Sequence, residues 1–126
     1  MTDSQPGRMR PVARDEALRL LGSVPHGRIV FTERALPAVR VVNHVLDDGH
    51  VVVRVPAGAA VLRAVGQVVA YQADLVGAGP LLRWSVVVLG VAEVDNAAGE
   101  LSHIIRIRPE LVSGEVLDLG ALPAIA

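Results

Sequence analysis

The chain contains no cysteine. Thiol catalysis, disulfides and cysteine-containing zinc sites are excluded together. Lysine is missing as well, since all twelve cationic side chains are arginine. That removes Schiff-base chemistry and side-chain amine nucleophiles. Aromatic residues number three, one each of Trp, Tyr and Phe, too few for a base-stacking platform. Charge of one sign is also lacking: 12 Lys+Arg stand against 13 Asp+Glu, a net charge of -1. A nucleic-acid partner would need a clustered positive surface, so none is expected. No apolar run reaches the roughly 18 residues of a membrane span. The opening "MTDSQPGRMRPVARDEALRLLGS" is polar and broken by prolines, without an apolar signal core. A soluble, cytoplasmic protein without a membrane partner is the expectation.

What remains is rich in valine. The 126 residues are 52% hydrophobic and 20% charged, which fits one globular domain with its own core. Residues 1–13 read as a flexible arm because of Pro6, Gly7 and Pro11, leaving 14–126 as a single domain. "ARDEALRLLGSV" spaces Ala17, Leu18, Leu20 and Leu21 as a short amphipathic helix, with acids early and Gly22 late. Strands follow at "GRIVFT", "AVRVVNHVL", "HVVVRV", "QVVAYQADLV", "LLRWSVVVLGVAEVD", "HIIRIR" and near "GEVLDL". "DDG" marks a hairpin between the second and third of these, and Gly90 is placed to bend or bulge the longest. Gly58 to about Val65 reads as a second short helix. Five to seven strands with short helices predict a small antiparallel barrel.

Valine supplies 23 residues, and several strands are apolar on both faces. In "WSVVVLGVA", Trp84, Val86 and Val88 fall on one side, and Val87, Leu89 and Val91 on the other. A barrel fills its interior with one set and leaves the other to be covered. Two helices of about nine residues are too small to do so, and a homodimer is expected.

Candidate chemistry is sparse. Strand alternation puts His50, Val52 and Arg54 on one face, opposite Val51, Val53 and Val55. Pro56 ends the strand, Gly58 permits close approach, and the amides of Gly58, Ala59 and Ala60 open a helix as free donors. A guanidinium beside a helix start suits a phosphate. The same pattern is also what a solvated strand end looks like. His26, His44, His50 and His103 show no metal-ligand spacing and read as surface or hydrogen-bonded imidazoles. The serines lack a nucleophile elbow. Asp15/Glu16 and Asp47/Asp48 read as capping and turn residues. Asn43 is a lone amide on the face of Val39, Val41 and Val45, paired either with backbone or with a polar ligand. Trp84, at the head of the longest strand, is either core or a stacking surface.

In order, "EALRLLGSVPHGRIV", "PAVRVVNHVLDDGHVVVRV", "PAGAAVLRAV", "VVAYQADL" and "RWSVVVLGVAEV" resemble the pyridoxamine 5'-phosphate oxidase-like family of split β-barrel flavoproteins. Short members related to nitroimidazole-resistance proteins match best, and "IIRIRPELVSGEVL" echoes the C-terminal pattern. The resemblance implies a mainly β split barrel with two or more short helices, assembled as a homodimer with FMN at the subunit interface. It implies that Val42, Asn43 and His44 lie along the isoalloxazine edge, largely through backbone. Arg54, Val55 and the Gly58–Ala59–Ala60 turn would approach the phosphate, and Trp84 and Ser85 would come from the facing subunit.

Two positions depart from the family. Ala60 stands where a Lys is common, and Val42 where Pro often precedes the Asn. Losing the ammonium removes one charge-assisted contact, on the order of 1.5–3 kcal/mol. Deazaflavin, haem or no cofactor are therefore alternatives to FMN, and a non-catalytic dimer with a weakened flavin phosphate site is the alternative to an enzyme. With FMN bound, an oxidoreductase acting on a small molecule is implied. Its substrate is not written in the sequence, because the ring carries the redox chemistry.

Overall fold

In the computed structural model, residues 9–75, 83–95 and 101–117 are described. They form eight strands, one α-helix and a short 3-10 turn: β1 (Met9–Pro11), α1 (Arg14–Gly22), β2 (His26–Glu33), β3 (Leu36–Asp47), β4 (His50–Pro56), the 3-10 turn (Ala60–Ala64), β5 (Val68–Leu75), β6 (Arg83–Asp95), β7 (Ser102–Ile107) and β8 (Leu111–Leu117). The expected strands are all present within these limits. Residues 1–8, 76–82, 96–100 and 118–126 lie outside the described residues.

Period-two patterning explains the strands. On β4, Val51, Val53 and Val55 are buried while the alternate residues are not. On β6, Trp84, Val86, Val88 and Ala92 point inward in the same way. Two tight turns set the register. Asp48 and Gly49, with φ of 52° and 75°, join β3 to β4, closing the pair Asp47↔His50. Arg34 and Ala35, with φ of 53° and 65°, join β2 to β3 at Glu33↔Leu36. Helix α1 buries Ala17 and Leu21, four residues apart on one face, and places Asp15 and Glu16 in its first turn.

The sheet order is β1-β8-β6-β5-β2-β3-β4-β7, and β7 returns to β6. Six strands thus close a barrel, and β8 and β1 extend it from the flank of β6. All pairings are antiparallel. The interior is filled by Ile29, Val51, Val53, Val69, Tyr71, Val86, Val88, Ile105 and Ile107, none of them more than 2% exposed.

Two strands change partners along their length, and these two places shape the molecule. Strand β6 pairs with β8 from Arg83 to Leu89, then with β7 from Ala92 to Asp95. Gly90 sits at the changeover, where the chain crosses from β7 to β8. A Cβ there would lie 2.1 Å from the carbonyl oxygen of Arg108, so the bend read from the sequence is a close backbone crossing. Strand β3 pairs with β2 from Leu36 to Asn43 and with β4 from His44 to Asp47. Its edge toward β4 is therefore unpaired among the described residues from Leu36 to Asn43, and the two strands part there.

Three local expectations are corrected. Met9–Pro11 is not part of a loose arm but a strand on β8, in register Met9↔Leu117. With it the strands among the described residues number eight rather than five to seven. The second helix is a five-residue 3-10 turn beginning at Ala60, shorter than the 58–65 read from the sequence. Gly58, at φ 84°, lies in the turn before it.

Gly90→Ala places a methyl group against main chain that cannot yield. It is expected to cost about 2 kcal/mol or more in urea denaturation, with the barrel closure as the element lost.

Candidate functional site

The open edge of β3 brings together the two polar residues singled out in the sequence. The β3–β4 register stops at His44↔Val53, so the next residues in line are Asn43 and Arg54. Both are exposed and on the outward face, at the apex of the cleft where the strands part. On its other side Asn43 faces His26 of β2. The His44 amide donates to the Pro25 carbonyl at 2.9 Å, so His26 and Asn43 form the closer, non-hydrogen-bonded kind of antiparallel pair.

Arg54 is directed along its strand toward the turn that follows. Its Nη1 donates to the Ser102 hydroxyl at 2.9 Å, and Ser102 pairs with Pro56. The Ala57 amide donates to the Leu101 carbonyl at 3.2 Å, tying the same turn to β7. One of the three expected free donors is spent: the Ala59 amide bonds the Pro56 carbonyl at 3.1 Å, because residues 56–59 close a turn before the 3-10 segment starts. The amides of Gly58 and Ala60 have no partner among the described residues. Arg63 ties the segment to the barrel through Glu33 at 2.6 Å, and Val61 and Ala64 are buried beneath it. The residues in question are one guanidinium bonded to Ser102, two amides without a partner among the described residues, and an outward side-chain amide at the end of the β3–β4 pairing. Such a set can hold an oxyanion and a flat polar edge.

The remaining residues divide by strand parity. Val55 is 2% exposed and points inward, so it can meet a ligand only through its backbone; Val42 is half-buried on the same inner side. Trp84 also turns inward, whereas Ser85 is outward. The Ser85 hydroxyl accepts from Gln72 Nε2 at 3.2 Å, and the Gln72 amide also bonds Asp74 and Arg28. Asn43 and Ser85 share the outward surface but are separated by β2 and β5, about 14 Å at ordinary strand spacing. One protomer cannot wrap both around a single ring edge.

His44 has a role that sequence reasoning did not specify. Its side chain is buried against the inner side of β3, between the barrel and α1. Nε2 donates to the Leu21 carbonyl at 2.8 Å, near the C-terminus of α1. Nδ1 then accepts from the Tyr71 hydroxyl at 2.5 Å, with the two rings edge-on and their centroids 5.0 Å apart. Burial pushes the imidazole below its ordinary 6.5; the bond to Leu21 opposes this, and nearby His26 adds a smaller push downward. Burial likewise raises the Tyr71 phenol. Neutral His44 is thus fixed in one tautomer, with its side chain turned inward and its amide bonded to Pro25. The single Tyr in the chain, inside an apolar strand, was the available signal.

Comparison with known proteins places this geometry. The sequence model for pyridoxamine 5'-phosphate oxidase matches residues 13–115. The chain belongs to the pyridoxamine 5'-phosphate oxidase-like family, and its fold is that family's split β-barrel. The uncharacterized protein Rv0080 of Mycobacterium tuberculosis is 44% identical, with 80% of each chain covered. Among solved structures, an FAD-binding protein from Mycobacterium smegmatis superposes with a TM-score of 0.77 at 27% identity, covering 87% of this chain and 99% of its own. An FAD-binding protein from Mesorhizobium loti superposes with a TM-score of 0.76 at 22% identity, covering 87% and 97%.

Tyr71→Phe leaves the buried Nδ1 of His44 without a donor. The expected cost is about 1–3 kcal/mol in urea denaturation at neutral pH. The His44 contribution to stability is complete above about pH 6.5, the unfolded value, and is lost as pH falls from there toward the depressed folded value. Wild-type stability should therefore drop between pH 7 and pH 5, and His44→Gln should show a smaller drop over the same range.

Proposed function

We propose that the chain is a flavin-binding split-barrel protein, with the flavin held at the β3–β4 cleft and the ribityl phosphate directed to Arg54. The observation that carries the reading is the position of Asn43 and Arg54 just beyond the last β3–β4 pair, His44↔Val53, with the Gly58 and Ala60 amides, unpartnered among the described residues, in the turn that follows β4. A phosphate completes the charge of the guanidinium and accepts from both amides. Asn43 then offers its side-chain amide to a polar ring edge.

FMN is the compound this cradle fits most simply. FAD carries the same ring and ribityl chain, and the M. smegmatis relative is an FAD-binding protein, which supports the flavin reading without choosing between the two. Ala60 places a methyl group where a Lys would add charge, so affinity rests on Arg54. A bound flavin would supply two-electron redox chemistry, and oxidoreductase activity on a small molecule is the corresponding proposal. The protein's own part is to bind, orient and exclude water. No acid or nucleophile is required of it, in keeping with the few such groups in the sequence.

We also propose that the site is completed by a second copy of the chain. Val39, Val41 and Val45 line the outward side of β3 at 49%, 69% and 61% exposure, around Asn43. A twofold contact over this surface would cover them and could bring Ser85 of the facing protomer to the ring that Asn43 meets.

The purified protein should be yellow or become so on adding FMN or FAD. Arg54→Ala should weaken binding about tenfold or more in a fluorescence titration, the loss of one charge-assisted phosphate contact. A colourless protein that titrates neither flavin would overturn the reading. Val41→Asp should shift the chain to monomer in analytical ultracentrifugation and weaken flavin binding with it; an unchanged mass would reject the dimer.

A further inference from the structure

A pocket of about 360 Å³ opens on the opposite side of β6 from the outward face, between β1, α1 and the β6–β8 pair. That volume falls within the range of small-molecule sites, about 300–1,000 Å³. Its floor is apolar: Val12, Leu20, Val116 and the indole of Trp84. Trp84 is 5% exposed, so the indole is held in place by packing. Arg10 and Glu16 supply the charge. Glu16 is already engaged by Arg19 at 2.5 Å, whereas Arg10 has no hydrogen bond or ion pair with any described residue. Arg14, the neighbouring cation, is committed to the Pro109 carbonyl at 2.8 Å. The pocket therefore combines an apolar floor with one guanidinium that is uncommitted among the described residues.

We propose that this pocket binds a small carboxylate carrying a single ring or a compact branched chain, with the hydrocarbon on Trp84 and the carboxylate on Arg10. Planar, forked donors suit a carboxylate, and the space admits one ring of hydrocarbon. The proposal does not rest on the flavin reading. The pocket is built by one protomer, on the inner side of β6, while Asn43, Arg54 and Ser85 lie on the outer surface.

Trp84 is the only tryptophan and lines this pocket, so its fluorescence responds to binding there. The full chain is titrated with cyclohexanecarboxylate and, separately, with uncharged cyclohexylmethanol, and calorimetry run in parallel guards against a silent indole. Saturable binding of the carboxylate is expected. Arg10→Gln, an exposed change on an edge strand, should weaken it about fivefold while leaving the alcohol unchanged. Absence of saturation by both methods, or an Arg10→Gln protein that binds the carboxylate like wild type, would overturn the proposal. Because flavin binding is read separately by visible absorbance and Arg54→Ala, the two readings fail independently.

Discussion

The imidazole of His44 is the point on which the barrel and its opening both depend. It stands on the residue where β3 leaves β2 and joins β4, and it is bonded inward to Tyr71 of β5 and to the end of α1. An imidazole can satisfy two buried partners at once, one as donor and one as acceptor, provided it stays neutral. Burial enforces that neutrality. The outcome is a fixed crease: the strand on one side of it belongs to one wall, and on the other side to the next. Asn43 and Arg54 are neighbours because the crease is where it is.

The crease also explains how a chain without obvious catalytic groups can build a site. An open strand edge is ordinarily a liability, because unpaired main-chain groups invite other strands. Here β3 is open beside exposed valines, and its apex is polar. A flat cofactor and a second protomer would each occupy part of such an edge, the first through polar contacts and the second by burying hydrocarbon. On the proposed reading the Arg54 guanidinium and the Gly58 and Ala60 amides would serve binding, and the chemistry would be left to what is bound.

Much of this was legible in the sequence, and the failures have physical reasons. Alternation in "HVVVRV" gave the facing of Arg54, and "DDG" gave the β3–β4 turn. The β2–β3 turn carries Arg34 and Ala35 at positive φ, residue types that give no hairpin signal. Pairing of Met9–Pro11 with β8 joins residues about a hundred positions apart, and no local period announces it. Ala59 looked like a free donor because sequence cannot tell a β-turn followed by a 3-10 segment from a longer helix. The four histidines look alike in composition, and only the fold shows that His44 is inside. The family resemblance supplied what periodicity could not: the split barrel and the order of its strands, both matched by the family comparison and the superposed structures.

Strand β6 is shared by β5, β7 and β8, and the last two take successive lengths of the same edge. During synthesis the first five strands can emerge with α1 and still have nothing to seal them. The ring stays a curled, unfinished sheet until residue 107 has left the ribosome, and α1 waits longer for the β8 surface against which it packs. Distant contacts of this kind slow folding, since the loops that join them must close first. The valine-rich strands would spend that interval uncovered, an exposure that makes assembly in the cell a race between ring closure and association with other nascent chains.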